Sequence, residues 1–209
     1  MTTIVRRGVC LVLAAPSGAG KTAIADALLA SEPDLRRSIS VTTRPPRSGE
    51  VEGEHYHFRS QAVFDGMVAD GALLESARVL GRHWYGTPRA PVEQSLRAGN
   101  DVVFDIDWQG HRQLRDALPG DVVGVFILPP TLAALEKRLL GRAGDDAAEI
   151  ARRMGLARDE ISHWSDFDHV VVNADFDQAV AAVRTVLHAA RLATTRQTGL
   201  RDFVGRLQD

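Results

Sequence analysis

Short, unbroken apolar runs, most of them followed by a helical pattern, set the rhythm of this chain. Residues 9–13, 102–106, 122–128 and 170–172 are rich in β-branched side chains, and residues 38–41 form a weaker fifth run. Apolar residues on consecutive rather than alternate positions mean that both faces of a strand are covered, as in a parallel sheet flanked by helices. Residues 23–30, 132–140 and 177–192 carry apolar side chains at helical spacing, and Pro129 and Pro130 end the run before the second of these. Strands alternating with helices predict an α/β fold: a three-layer domain with a parallel sheet at its centre.

Two stretches break the rhythm. Residues 44–100 are rich in Pro, Gly, Arg and aromatic side chains and read as an inserted lobe with short strands. Gly141-Arg142-Ala143-Gly144-Asp145-Asp146 separates two Arg-rich helical pieces and has the composition of a lid. The expected division is a core of residues 1–37, 92–136 and 164–209, a lobe at 38–91 and a lid at 137–163.

Composition narrows the function classes. At 209 residues and 44% hydrophobic, the chain can bury one sizeable core. A net charge of −2 gives no basic balance to suggest a nucleic-acid partner. No apolar run approaches the ~18 residues of a membrane-crossing helix, and no cleavage pattern follows the short apolar stretch near the N-terminus. A soluble, cytoplasmic protein without a membrane partner is expected, and a homo-oligomer stays open. Cys10, the single cysteine, lies in an apolar run and reads as a buried, inert thiol. His55 and His57 share a strand face but lack a third ligand at metal spacing. Trp108 and Trp164 read as packing residues.

The strongest chemical signal is Ala15-Pro16-Ser17-Gly18-Ala19-Gly20-Lys21-Thr22, which follows an apolar strand and opens a helix. That is the context of a phosphate-binding loop, or P-loop. Its backbone N–H groups form an anion nest, Gly18 and Gly20 allow the tight turn, Lys21 reaches the outer phosphates and the Thr22 hydroxyl suits Mg²⁺. Ala15 stands where the pattern has glycine. Lys21 and Lys137 are the only lysines in an arginine-rich chain, so a lysine at this position is conspicuous. Asp105, ending a neighbouring strand, suits Mg²⁺ through water, or is a solvated strand-end acid.

A P-loop implies a nucleotide and leaves the acceptor to be found. Arg44 and Arg47 flank Pro45-Pro46, which stiffens the turn; two guanidinium forks held this way suit a phosphate dianion, although a solvated loop would look the same. Further along come Gly49-Glu50-Val51-Glu52-Gly53-Glu54-His55-Tyr56-His57-Phe58, Leu73-Leu74-Glu75, Tyr85-Gly86-Thr87-Pro88-Arg89 and Asp105-Ile106-Asp107-Trp108-Gln109-Gly110. In that order and at those spacings they resemble the guanylate kinase family of bacterial type, over residues 9–187. The resemblance implies a P-loop kinase fold and Mg²⁺-dependent phosphoryl transfer from ATP to GMP, and also to dGMP. It implies that Arg44, Arg47, Tyr56 and Tyr85 hold the GMP phosphate, with Trp84 as the alternative to Tyr85 because the segment between Gly81 and Tyr85 is one residue longer than the family pattern usually has. Ser40, Glu75, Thr87 and Asp107 would read guanine. Arg138, Arg142 and Arg153 would close over the transferring phosphate, and Asn173 would lie near the adenine of ATP, although Ala174 stands where the family often has an acid.

The guanine set also makes chemical sense by itself. Guanine offers N1–H and N2–H₂ donors that carboxylates such as Glu75 and Asp107 can accept, and its O6 suits a hydroxyl such as Ser40 or Thr87. Adenine would leave a buried carboxylate unpaired. Glu75 could otherwise be a surface acid at a strand end. Two other readings remain at this point. A protein-binding module of the same fold would lack a working P-loop, and another small-molecule P-loop kinase would lack the guanine-reading residues.

Overall fold

The computed structural model describes residues 4–79, 82–140 and 147–208. Its central sheet has five parallel strands: β1 (Cys10–Ala14), β2 (Leu35–Arg37), β7 (Asp101–Asp105), β8 (Val122–Leu128) and β9 (His169–Val172), in the order β2-β7-β1-β8-β9. Pleating sends alternate residues of one apolar run to opposite faces. Val9, Leu11 and Leu13 join a core with Ile24, Leu28, Leu135, Leu139, Val183 and Leu187. Cys10, Val12 and Ala14 join a second core with Val92, Leu96, Phe104, Leu114 and Phe126. The first core is covered by α1 (Lys21–Ser31), α5 (Leu132–Leu140), α6 (Ala147–Ser162) and α7 (Phe176–Arg191), and the second by α3 (Arg89–Arg97) and α4 (Trp108–Ala117). Burial raises the pKa of the Cys10 thiol and keeps it unreactive.

A second sheet lies between β2 and α3 in the chain. It contains β3 (Val41–Thr42), β4 (His57–Phe58), β5 (Leu73–Val79) and β6 (His83–Pro88), in the order β4-β3-β6-β5. Helix α2 (Gln61–Ala69) is capped by the Ser60 side chain, which accepts from Val63 N–H. Its Phe64 is buried and packs on Trp84, with ring centroids 5.9 Å apart.

The expected fifth core strand differs in place. The core's edge strand is Leu35–Arg37, and of the 38–41 run only Val41 is in a strand, with Thr42 in the second sheet. The reason is pairing. Leu35 to Arg37 meet Asp101 to Val103 in parallel register, whereas Val41 and Thr42 meet Gly86 and Tyr85 antiparallel. Residues 38–40 are thus the crossing between sheets, a role that hydrophobicity does not encode. Trp164 also departs from expectation: it is 51% exposed, while Trp108 stacks on His163. Helix α8 (Leu200–Gln208) ends the described chain.

A network of ion pairs closes the edge of the core sheet at which the parallel strands begin. Asp101 is fully buried and accepts from both Arg6 and Arg191 and from Val9 N–H. Arg191 also meets Glu32, which in turn contacts His188. A buried carboxylate with this many donors is satisfied, and it leaves the opposite, C-terminal edge of the sheet for chemistry. No helix among the described residues is long and apolar enough to cross a membrane.

Candidate active site

The parallel register of the core assembles the first half of the site. Leu13 of β1 pairs with Asp105 of β7, so the loop leaving β1 emerges beside that carboxylate. Gly18 and Gly20 have φ of 93° and 99°, which costs a residue with a Cβ but not glycine. Gly20 is constrained twice, because a Cβ there would lie 2.5 Å from Asn173 Nδ2. Helix α1 starts at Lys21 without a side-chain cap or an acid in its first turn, so its first N–H groups stay available to an anion.

Lys21 Nζ lies 2.9 Å from Asp105 Oδ1 and donates to the Ile106 carbonyl oxygen at 3.1 Å. Thr22 Oγ1 donates to Asp105 Oδ2 at 2.7 Å. Burial acts to raise the Asp105 pKa, but Lys21, the Thr22 hydroxyl and Arg37 outweigh it and hold the group below its ordinary range. A hydroxyl and a carboxylate side by side are the hard oxygen donors that Mg²⁺ takes, alongside phosphate and water. Among the described residues, no group of three His, Cys, Asp or Glu side chains could hold a metal ion alone.

Asn173 follows β9. Its Nδ2 donates to the Ala19 carbonyl oxygen at 2.8 Å, and Arg138 donates to the Asn173 and Ala19 carbonyl oxygens at 2.9 and 3.3 Å. Arg153 Nη1 reaches Ser17 Oγ at 3.3 Å. These three expected residues therefore all touch the loop or its support. Arg142 lies outside the described residues. Lys21, Thr22, Asp105 and Arg138 line a cleft of about 480 Å³ at the loop.

The second half gathers on the smaller sheet. Arg44 is buried beneath the ring of Tyr56, its Cζ 5.4 Å from the centroid, and Tyr56 and Tyr85 pack edge to face. Arg44 donates through Nη1 and Nη2 to both oxygens of Glu50, at 2.9 and 2.7 Å, through Nη1 to the Pro45 carbonyl oxygen, and through Nε to the Tyr85 hydroxyl at 3.1 Å. A guanidinium has five N–H donors, so one is left for a ligand. The Tyr85 hydroxyl accepts from Arg44, so its own proton is free to donate. Hydrogen bonds from Arg44 and from Arg47 N–H lower the Glu50 pKa to about 2. The Arg47 side chain is exposed. Trp84 packs on Phe64 while Tyr85 meets Arg44, so of the two aromatic candidates only Tyr85 joins the arginine.

Glu75 and Thr87 pair across β5 and β6, next to an irregularity in the register at Leu73–Glu75. Thr87 Oγ1 donates to Glu75 Oε1 at 2.7 Å. Glu75 is only 5% exposed, so it is not a surface acid. Burial pushes its pKa up to about 7, with nearby Asp107 adding and the Thr87 hydrogen bonds opposing. Gly110 leaves room for this carboxylate, since a Cβ there would lie 3.2 Å from Glu75 Oε2. Asp107 caps α4 through Oδ1, which accepts from Gly110 N–H at 2.9 Å. Ser40 and Tyr56 line a cleft of about 740 Å³ whose other wall includes Thr22, Asp105 and Ile106. The two halves thus face one another across a shared space.

Two residues that touch this site escaped the sequence reading. Glu50 orients Arg44, and its opposite charge a few residues beyond the Arg-Pro-Pro-Arg turn was a usable signal. Glu160 of α6 accepts from Ser17 N–H at 3.3 Å; nothing local marks a helix acid 143 residues away in sequence as a loop contact.

Comparison with known proteins agrees with this geometry. A family model described as guanylate kinase matches residues 7–190. The guanylate kinase of Gluconobacter oxydans (strain 621H) is 66% identical over 204 residues, covering 98% of each chain. That of Granulibacter bethesdensis is 61% identical, covering 97% of this chain and 94% of its own. Among solved structures, guanylate kinase from Anaplasma phagocytophilum aligns with a TM-score of 0.78 at 33% identity, covering 96% of this chain and 95% of that one.

Proposed function

The chain belongs to the guanylate kinase family, and from this we propose that it moves the γ-phosphoryl group of ATP to the phosphate of GMP, giving ADP and GDP. The observation that carries the reading is the buried Glu75–Thr87 pair beside Asp107. It is an acceptor-rich pocket suited to the N1–H and N2–H₂ donors of guanine, set on the sheet that also carries Arg44 and Tyr85. Arg44, Arg47, Tyr56 and Tyr85 hold the GMP phosphate, and Ser40, Glu75, Thr87 and Asp107 read the base. The lobe at 38–91 is then the GMP-binding unit, and 137–163 the lid.

On the donor side, residues 15–22 cradle the phosphates of ATP, and Asn173 shapes that loop through the Ala19 carbonyl. Lys21, Arg138 and Arg153 are placed to spread negative charge off the transferred group, and Arg142 is assigned the same task by family resemblance. Thr22 and, through water, Asp105 would hold Mg²⁺, which neutralises phosphate charge when bound. The attacking group is the GMP phosphate, largely a dianion at neutral pH because its second pKa is about 6. It needs no general base, so alignment and charge neutralisation carry the catalysis.

A coupled assay with ATP and each of GMP, AMP, CMP and UMP tests the reading. Turnover with GMP at least about a hundredfold more efficient than with the others is expected from a site whose buried acceptors only guanine satisfies. Equal use of AMP, or no turnover with GMP, would overturn it.

A further inference from the structure

We propose that Glu160 stands in for a nucleotide phosphate: its carboxylate sits on the anion-binding loop and has to be displaced before ATP can bind. The inference rests on the phosphate-binding role given to the loop above.

Four observations carry it. The Ser17 backbone N–H, one of the donors of the loop, points at Glu160 Oε2 over 3.3 Å. Glu160 lines the same cleft as Lys21, Thr22 and Arg138, so its carboxylate lies among the groups assigned to phosphate. It is held there by its helix. One turn on, His163 stacks on Trp108 with ring centroids 3.5 Å apart and planes 12° from parallel, fixing the end of α6 against the start of α4. Finally, the charged groups around Glu160 are mixed: Lys21 favours its ionised form, while Asp107 and Asp159 oppose it. Burial, the largest influence, pushes its pKa up, although the Ser17 N–H lowers it.

A carboxylate and a phosphate cannot share one set of N–H donors, since both are anions. The bond to Ser17 is single and long, so the carboxylate is a weak competitor that a triphosphate displaces at modest cost. The same competition helps empty the loop, because the carboxylate returns to Ser17 as ADP leaves. Glu160 is therefore a competitor for the loop that sets nucleotide affinity below what the loop alone would give.

Calorimetric titration of the full chain with ADP and, separately, with GMP tests this. Glu160→Gln keeps the size and removes the charge. Glu160→Asp keeps the charge but is one methylene too short to reach Ser17 N–H from the same helix position. Both should bind ADP more tightly than the unmodified protein, Glu160→Gln by about tenfold, with GMP affinity within about twofold in each. The proposal is overturned if Glu160→Gln binds ADP no more tightly. It is equally overturned if Glu160→Gln gains and Glu160→Asp does not, because a distant charge would then explain the effect without occupation of the loop. Failure of the unmodified protein to bind ADP would remove the phosphate-loop reading itself and this inference with it.

Discussion

Glu75 and Thr87 face each other across two antiparallel strands, and the threonine hydroxyl supplies a 2.7 Å hydrogen bond to a carboxylate almost sealed from water. The side-chain and backbone hydrogen bonds from Thr87 do not offset burial, so the Glu75 pKa rises to about 7. A guanine base would bring two further donors and select the ionised form. GMP affinity should therefore weaken about tenfold between pH 8 and pH 6, as protonation of a group near 7 competes with binding. The GMP phosphate titrates in the same range, so guanosine is the cleaner ligand. Its binding should weaken with acid and release protons, both measurable by calorimetry in buffers of different ionisation enthalpy. For folding the sign is opposite: a raised acid pKa costs the native state stability as pH climbs through about 7.

Glu75→Gln keeps the shape and replaces one acceptor oxygen with a donor. It should lower kcat/KM for GMP at least tenfold, leave KM for ATP nearly unchanged and flatten the pH dependence of guanosine binding. An unmet buried donor or acceptor costs about 1–3 kcal/mol, which sets that magnitude. An intact GMP-to-AMP preference in steady-state assays would remove Glu75 as the reader of guanine.

Arg44→Ala should act on phosphate and ignore the base. Arg44 is fixed by Glu50, Pro45 and Tyr85 and has one donor left over. Its loss should weaken GMP and IMP alike by about tenfold or more, as expected for a charge-assisted contact, and leave guanosine binding unchanged. A weakening of guanosine equal to that of GMP would contradict this division of labour.

Lys21→Ala should cut phosphoryl transfer by at least about a hundredfold, the usual effect of losing one donor to a developing charge. It should also affect the fold slightly, because Lys21 is the cation beside Asp105. Partial exposure of both side chains screens the pair, so the loss is about 1 kcal/mol, or a drop in Tm of about 2–4 °C. Differential scanning calorimetry beside the activity assay separates the two effects.

His111 should make the protein acid-sensitive. Both ring nitrogens are buried without a hydrogen-bond partner among the described residues, and the ring stacks on Phe167 at 4.0 Å. Burial lowers its pKa, Arg115 adds, and Asp168 and Asp166 oppose. A base with a depressed pKa stabilises the fold above its ordinary pKa of about 6.5 and loses that contribution as pH falls. Glu75 acts in the opposite direction over the same range, so the comparison is with the variant: His111→Ala, though less stable overall, should lose less Tm, or gain more, than the unmodified protein on going from pH 7.5 to 5. An unchanged slope would show that His111 does not titrate on unfolding.

Sequence alone determined the α/β core, since apolar runs of consecutive β-branched residues fit only a sheet covered on both faces, and determined the P-loop, whose geometry is local to eight residues. It also offered Arg44, Tyr56, Tyr85, Glu75 and Asp107 as candidates, but not Glu50 or Glu160, which the structure sets beside Arg44 and the loop. Pairing decided the rest. The 38–41 run could lie in either sheet: Ser38 N–H still donates to Val103 of β7, and only pairing with β6 puts Val41 and Thr42 in the lobe. Asn173 acts on the loop because β9 ends where its amide can reach the Ala19 carbonyl. Tyr85 is separated from Trp84 because strand alternation sends their rings to opposite faces, a choice that depends on strand register and not on residue type. Glu160 was invisible for the same reason: a helix acid gains meaning only when packing sets its turn over a loop far away in the chain. Local chemistry is written in adjacent residues, whereas contacts between distant segments depend on the summed packing of the whole domain, which no short window of sequence contains.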